Sequence, residues 1–158
     1  MEITAFKRIM AAVDFSKYAE PVLRVSLQLS RRFEAELVCV HVIHERDIHA
    51  MQSALNRLSA FDDKVGLTTE EYVAGVAADR RDQLKNLMHD IGWPESRTYR
   101  FLVREGIPFE ALIQTAMAER ADLVVLGPKG RSNLARVFVG STAEKMFQHC
   151  PVPILSMR

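Results

Sequence analysis

A chain of 158 residues is long enough for one domain with a buried core, and 48% hydrophobic with 26% charged residues is the composition of an ordinary globular protein. A formal net charge of +1 gives no electrostatic reason to expect a nucleic acid or an acidic membrane as partner. No apolar run approaches the roughly 20 residues that a membrane helix needs, and two cysteines, Cys39 and Cys150, make no disulfide framework. The first eight residues carry charges without a long apolar core, so no signal peptide is read and a cytoplasmic location is expected for a single domain spanning 1–158.

The first strand is expected at 8–13 (RIMAAV). Ser16 stands where a cap is wanted for a helix running to about Phe33, with Val22, Val25 and Leu29 on one face. Pro21 falls near its first turn, where a missing N–H does little harm. The second strand is 36–43 (ELVCVHVI). The stretch 45–67 is the least regular, with amphipathic helix character around 48–58. A long helix follows at about 69–91. Thr68 and Glu71 make its capping box, and Val73, Val76, Leu84, Leu87, Met88 and Ile91 make its stripe; Gly92 and Pro94 stop it. The third strand is 98–103 (TYRFLV). Pro108 is a good first helical residue for a helix that turns Phe109, Leu112, Ile113, Ala116 and Met117 inward. The fourth strand, 122–126 (DLVVL), leads to a glycine turn. A last helix opens at Ser141 and ends before Pro151, and 152–156 (VPILS) reads as the fifth strand.

Strands that alternate with helices imply a parallel sheet with right-handed crossovers. Ligands of such sheets bind beyond the C-terminal ends of the strands, where the strand order reverses. Three segments should meet there: Val13-Asp14-Phe15-Ser16, His41-Val42-Ile43-His44, and the glycine loop.

That loop is the most informative feature of the chain. After the fourth strand come Gly127-Pro128-Lys129-Gly130, and after nine intervening residues Gly140-Ser141-Thr142 opens a helical pattern. Glycine lets a backbone approach an anion closely, and a helix N-terminus offers unpaired N–H groups. The plainer reading of Ser141 and Glu144 is a capping box alone, and that of Asp14 is a helix-start acid facing the dipole. Lys129 reads equally as a phosphate ligand or as part of a solvated basic face with Arg131 and Arg136.

The spacing G-x2-G-x9-G-[ST], with Asp14 after strand one, His41-Val42-Ile43 ending strand two and Gly106-Ile107-Pro108 before a helix, resembles the ATP-binding universal stress proteins from Lys7 to Met157. The resemblance implies a five-stranded parallel sheet of order 3-2-1-4-5 with helices on both faces, like the adenine nucleotide α-hydrolases. It implies that Asp14 holds the ribose and that the backbone of Val42 meets adenine. Phosphates would be held by Gly127, Gly130, Gly140, Ser141 and Thr142, with Lys129 assisting, and Ala12, Val13 and Leu126 would line the pocket. Pro128 removes one backbone donor from that cradle. The implied ligand is ATP or another adenine nucleotide, with Mg or Mn carried by the phosphates. The implied assembly is a homodimer through the edge strand from Val152 to Ser156, acting as a stress-response regulatory module.

His41 and His44 straddle a strand end on opposite faces, and no paired cysteine or tight His-x3-His spacing supports a protein-ligated metal. No carboxylate or histidine is clearly placed to activate water, so hydrolysis is expected to be slow at most. An adenylating enzyme of the related hydrolase group would carry a glycine/serine-rich loop after strand one, where this chain has Asp14-Phe15-Ser16-Lys17. A stress protein working through protein contacts alone would lack the glycine motif.

Overall fold

The structure, a computed structural model, describes residues 5–59, 66–128 and 139–157. Lys129, Gly130, Arg131 and Arg136 lie outside the described residues. Five strands form one parallel sheet in the order β3-β2-β1-β4-β5: β1 Arg8–Ala12, β2 Glu36–His44, β3 Tyr99–Gly106, β4 Leu123–Leu126 and β5 Ile154–Ser156. The order is the one implied by the resemblance.

Alternation along the strands sorts side chains between two cores. Ile9, Ala11, Leu37, Cys39, Leu123 and Val125 face one way. They pack on helix α1 (Ala19–Phe33) and on the C-terminal half of α3 (Thr69–Asp90), through Val22, Leu23, Leu84 and Met88. Met10, Val38, Val40, Val124 and Leu126 face the other way, onto α4 (Pro108–Ala118) and α5 (Ser141–His149), through Leu112, Ala116, Ala143 and Met146. Burial pushes the Cys39 thiol well above its ordinary pKa, in keeping with a packing role.

The capping box of Thr68 and Glu71 forms as the sequence predicts, with Glu71 N–H donating to Thr68 Oγ1 at 3.1 Å and Thr68 N–H to Glu71 Oε2 at 2.8 Å. Trp93 anchors the following loop by donating from Nε1 to the Arg97 carbonyl at 2.8 Å. Other expectations need correction. Helix α1 starts at Ala19, not after Ser16, because Asp14 to Tyr18 form turns of their own. Its buried face is Ala19, Val22, Leu23, Ser26, Leu27 and Ser30, while Val25 and Leu29 are only half-buried. The serines escape a hydrophobic count because each buried hydroxyl is satisfied locally, Ser26 on the Val22 carbonyl at 2.7 Å and Ser30 on that of Ala35 at 2.6 Å. Thr115 takes the same kind of place in α4, its hydroxyl donating to the Ala111 carbonyl at 2.7 Å, and Met117 is 60% exposed instead of inward. The stretch after β2 is a regular helix, α2 (Glu45–Ser59), with no buried residue.

Candidate functional site

The chain runs β1 to β2 to β3 in one direction across the sheet and then returns to β4 and β5 on the other side of β1. The order therefore reverses between β1 and β4, and a crevice opens beyond their C-terminal ends. A cleft of about 340 Å³ occupies that position, within the range of small-molecule sites. It is lined by Ala12, Val13, Asp14, Val42, Leu126, Gly127, Gly140, Ser141 and Thr142, which brings together every expected site residue among those described.

Three backbone turns build the cleft. At the end of β1, Asp14 Oδ1 accepts from the Ser16 amide at 2.9 Å, an Asx turn that leaves its second carboxylate oxygen for other use. Phe15 then adopts φ 59°, a left-handed conformation uncommon outside glycine. At the end of β2, the Val40 carbonyl accepts from the Val13 amide at 2.8 Å, and the β1 register ends at Ala12 opposite Val40. Alternation points the N–H and C=O of Val42 to that same side, where β1 has turned away. Val42 thus offers a backbone donor and acceptor side by side at the cleft wall.

At the end of β4, Gly127 enters the loop, and the Gly140 amide returns to donate to the Pro128 carbonyl at 2.7 Å. Helix α5 then begins with Gly140 as its N-cap and no side-chain cap hydrogen bond. The helix opens at Ser141 as read from the sequence, and the plainer alternative of a Ser141–Glu144 capping box does not form, because Ser141 is the helix's first residue and Glu144 its fourth. The first-turn amides of α5 are consequently left at the cleft, with the positive end of the helix dipole.

The cleft also has walls that sequence reasoning did not name as site residues: Val40, Pro108, Leu112 and Ala143 as apolar surface, and His44, Arg46 and Asp47 at the rim. Arg46 donates from Nε to His44 Nε2 at 3.1 Å and from its amide to His44 Nδ1 at 3.2 Å. A neutral imidazole has one lone pair, so it can accept only one of these at a time. The crevice rule places His44 here, since it ends a strand. Arg46 and Asp47 enter only because α2 begins immediately after that strand, which the sequence does not announce. His41 also lines the cleft and is buried. Its Nδ1–H donates to the Val13 carbonyl at 2.8 Å, and its ring meets Phe15 edge-on at 5.1 Å. Among the described residues there is no cluster of three or more His, Cys, Asp or Glu able to hold a metal, and no helix is long and apolar enough to cross a membrane.

Residues 5–158 match the family model described as the universal stress protein family. A universal stress protein of Methanocaldococcus jannaschii is 25% identical over 97% of this chain and 95% of its own length, and one from Thermus aquaticus is 27% identical over 97% and 99%. Among solved structures, a universal stress protein of Lactobacillus plantarum superposes with a TM-score of 0.74 at 21% identity, covering 98% of this chain and 99% of its own. Similar folds at lower identity include a universal stress protein solved with cAMP, at a TM-score of 0.57, and one from Archaeoglobus fulgidus solved with dAMP, at 0.58. With the family model spanning nearly the whole chain, and with this sheet order and this cleft, the chain belongs to the universal stress protein family.

Proposed function

We propose that the cleft binds ATP or another adenine nucleotide and that the chain works as a nucleotide-dependent regulatory module. The observation that carries this reading is the convergence of complementary groups on one cleft. The uncapped first turn of α5 with Gly127 and Gly140 suits phosphate oxygens. The free carboxylate oxygen of Asp14 suits a ribose diol, and the paired backbone donor and acceptor of Val42 suit the edge of adenine. Apolar Val40, Leu112 and Leu126 give the base a dry wall. Ser141 and Thr142 stand beside the anion position, and Lys129 and Gly130 complete the motif in sequence. The cAMP and dAMP complexes of two similarly folded proteins are consistent with this reading. A Mg or Mn ion would ride on the phosphates, since magnesium usually takes phosphate oxygens and water.

Titration calorimetry with ATP and magnesium tests the proposal. Saturable heat and a rise in melting temperature with ligand concentration are expected. No heat and no stabilisation at millimolar ATP would reject it. Turnover should lie far below the median enzyme rate of about 10 per second, because no base is assigned to the site. A contaminant-free preparation that hydrolyses ATP at such rates would move the protein into the enzyme class.

We also propose a homodimer through β5 and its flank, from Val152 to Ser156. This strand is an edge, Pro153 limits its ladder, and Ile154 and Leu155 are only half-buried. Light scattering should give twice the chain mass, and Ile154→Asp should return the monomer with its fold intact. A dimer that survives that substitution places the interface elsewhere.

A further inference from the structure

We propose that Phe15 is a positioning residue: clamped between His41 and Arg80, its ring holds the left-handed turn that presents the Asp14 carboxylate to the cleft. The inference rests on the adenine-nucleotide reading for its functional consequence, but the clamp itself is visible in the fold.

A non-glycine residue at φ 59° carries a steric cost that its surroundings can offset. The surroundings here come from two other elements. From β2, the His41 ring lies 5.1 Å from the Phe15 ring at 66°, an edge-to-face pair. His41 is itself fixed, because a carbonyl can only accept, so Nδ1 must carry the proton donated to Val13 at 2.8 Å. From α3, the Arg80 guanidinium lies 5.2 Å from the Phe15 ring centroid, a cation–π distance. Arg80 is held in turn by donating from Nη1 to Gln83 Oε1 at 2.8 Å.

The Phe15 ring and Arg80 lie on the α1/α3 side of the sheet; His41 also borders the cleft, whose apolar wall comes mostly from the α4/α5 side. Phe15 does not line the cleft; Asp14, one residue earlier, does. The turn between them is therefore a lever. Its inner end is packed, and its outer end carries the carboxylate, with the Ser16 amide on Oδ1 fixing which oxygen remains. An arginine on a helix remote in sequence thereby bears on the ribose position.

The test uses the whole chain with four substitutions and two ligands. Phe15→Gly removes the ring and also the steric cost of the left-handed turn, so the fold is spared one penalty while the clamp is lost. Phe15→Tyr keeps the ring. Mg-ATP has the ribose; tripolyphosphate lacks it. Phe15→Gly should weaken ATP by about tenfold, the scale of one charge-assisted hydrogen bond, and leave tripolyphosphate within about twofold. Phe15→Tyr should bind like wild type. On an Asp14→Ala background Phe15→Gly should cost ATP nothing more, since the carboxylate it positions is gone. Arg80→Met, at the α3 side of the clamp, should shift ATP in the same direction by about threefold, and it serves where the glycine variant does not fold. Equal losses for the two ligands, full additivity with Asp14→Ala, or ATP binding unchanged in both Phe15→Gly and Arg80→Met would overturn the proposal. A ligand-free measurement separates it from the nucleotide reading. Hydrogen exchange at the Ser16 amide should quicken in Phe15→Gly, because that amide is protected by Asp14 Oδ1. Wild type that binds no nucleotide defeats the binding reading, while unchanged Ser16 exchange defeats the clamp.

Discussion

The two ends of the sheet treat polar groups in opposite ways. At the N-terminal ends of the strands, polar atoms are joined to one another. Asp122 Oδ2 accepts from the amides of Lys7 and Arg8 at 2.7 and 2.8 Å, tying the start of β4 to the start of β1. Arg8 pairs with Glu36 at 2.7 Å and also donates to the Glu119 carbonyl, and Arg100 pairs with Glu119. At the C-terminal ends the donors and acceptors are left facing a cleft: the first turn of α5, one oxygen of Asp14, and the backbone of Val42. An aspartate adjoins a central strand in each region, Asp122 before β4 and Asp14 after β1. The first is satisfied by its own chain and the second is half-satisfied. The difference predicts that carboxylate removal damages folding at one end and binding at the other.

The largest effect is expected at Asp122. Asp122→Ala removes a charged acceptor from two backbone amides, and hydrogen bonds to charged groups contribute about 1.5–3 kcal/mol each before solvent exposure is discounted. We expect about 2 kcal/mol lower stability in urea unfolding, because the site is partly exposed, with ATP affinity of the folded protein unchanged. Loss of ATP binding in the folded variant would mean that the two ends are coupled.

Asp14→Ala should do the reverse. Stability should change by less than about 1 kcal/mol, the worth of one partly exposed turn hydrogen bond. ATP affinity should fall by about tenfold, and more than affinity for pyrophosphate, which has no ribose. Calorimetry with both ligands decides it: equal losses would deny Asp14 a ribose role. A stability loss as large as that of Asp122→Ala would make Asp14 a structural residue first, and the contrast between the ends would collapse.

The contrast also explains what could be read from the sequence. The strands were legible because a parallel sheet buried on both faces demands continuous apolar runs, as in 36–43. The glycine motif and Asp14 were legible because strand ends, glycine and an acid at fixed spacing are local features. The rim was not. Arg46 and Asp47 reach the cleft through the direct passage from β2 into α2, a tertiary fact with no local signature. The start of α1 departs from its sequence pattern for a related reason. Ser16 looks like a cap, but its hydroxyl accepts from the Tyr18 amide at 3.2 Å within a turn, while the adjoining Asp14 turn and the left-handed Phe15 delay the helix to Ala19. At α5 a plausible capping box failed by one residue, and that failure leaves the helix terminus open. Local rules broke on both sides of the cleft, where a site competes with optimal local structure.

A further effect is expected between the two ends, in the core under β2. Cys39 is fully buried, and burial raises its thiol pKa from the ordinary 9.0. The native state therefore keeps this proton at pH values where the unfolded chain loses it. Below pH 9 both states hold the proton and stability is unaffected by this group. Above pH 9 the native state binds more protons than the unfolded state, so stability falls as pH rises. One such group lowers stability by about 1.4 kcal/mol between neutral pH and pH 10. Tyr99 is also raised, by burial first and by Cys39 second, but from an ordinary value of 10.0, so the window from pH 9 to 10 belongs chiefly to the thiol. Urea unfolding at pH 7, 9 and 10 should show the decline in wild type and lose it in Cys39→Ala. A thiol reagent at pH 8 should modify the half-buried Cys150 long before Cys39. Modification of Cys39 at a comparable rate, in folded protein, would mean that the core beneath the cleft opens to solvent. The separation between a closed end and a ligand-facing end would then not be maintained by a dry interior.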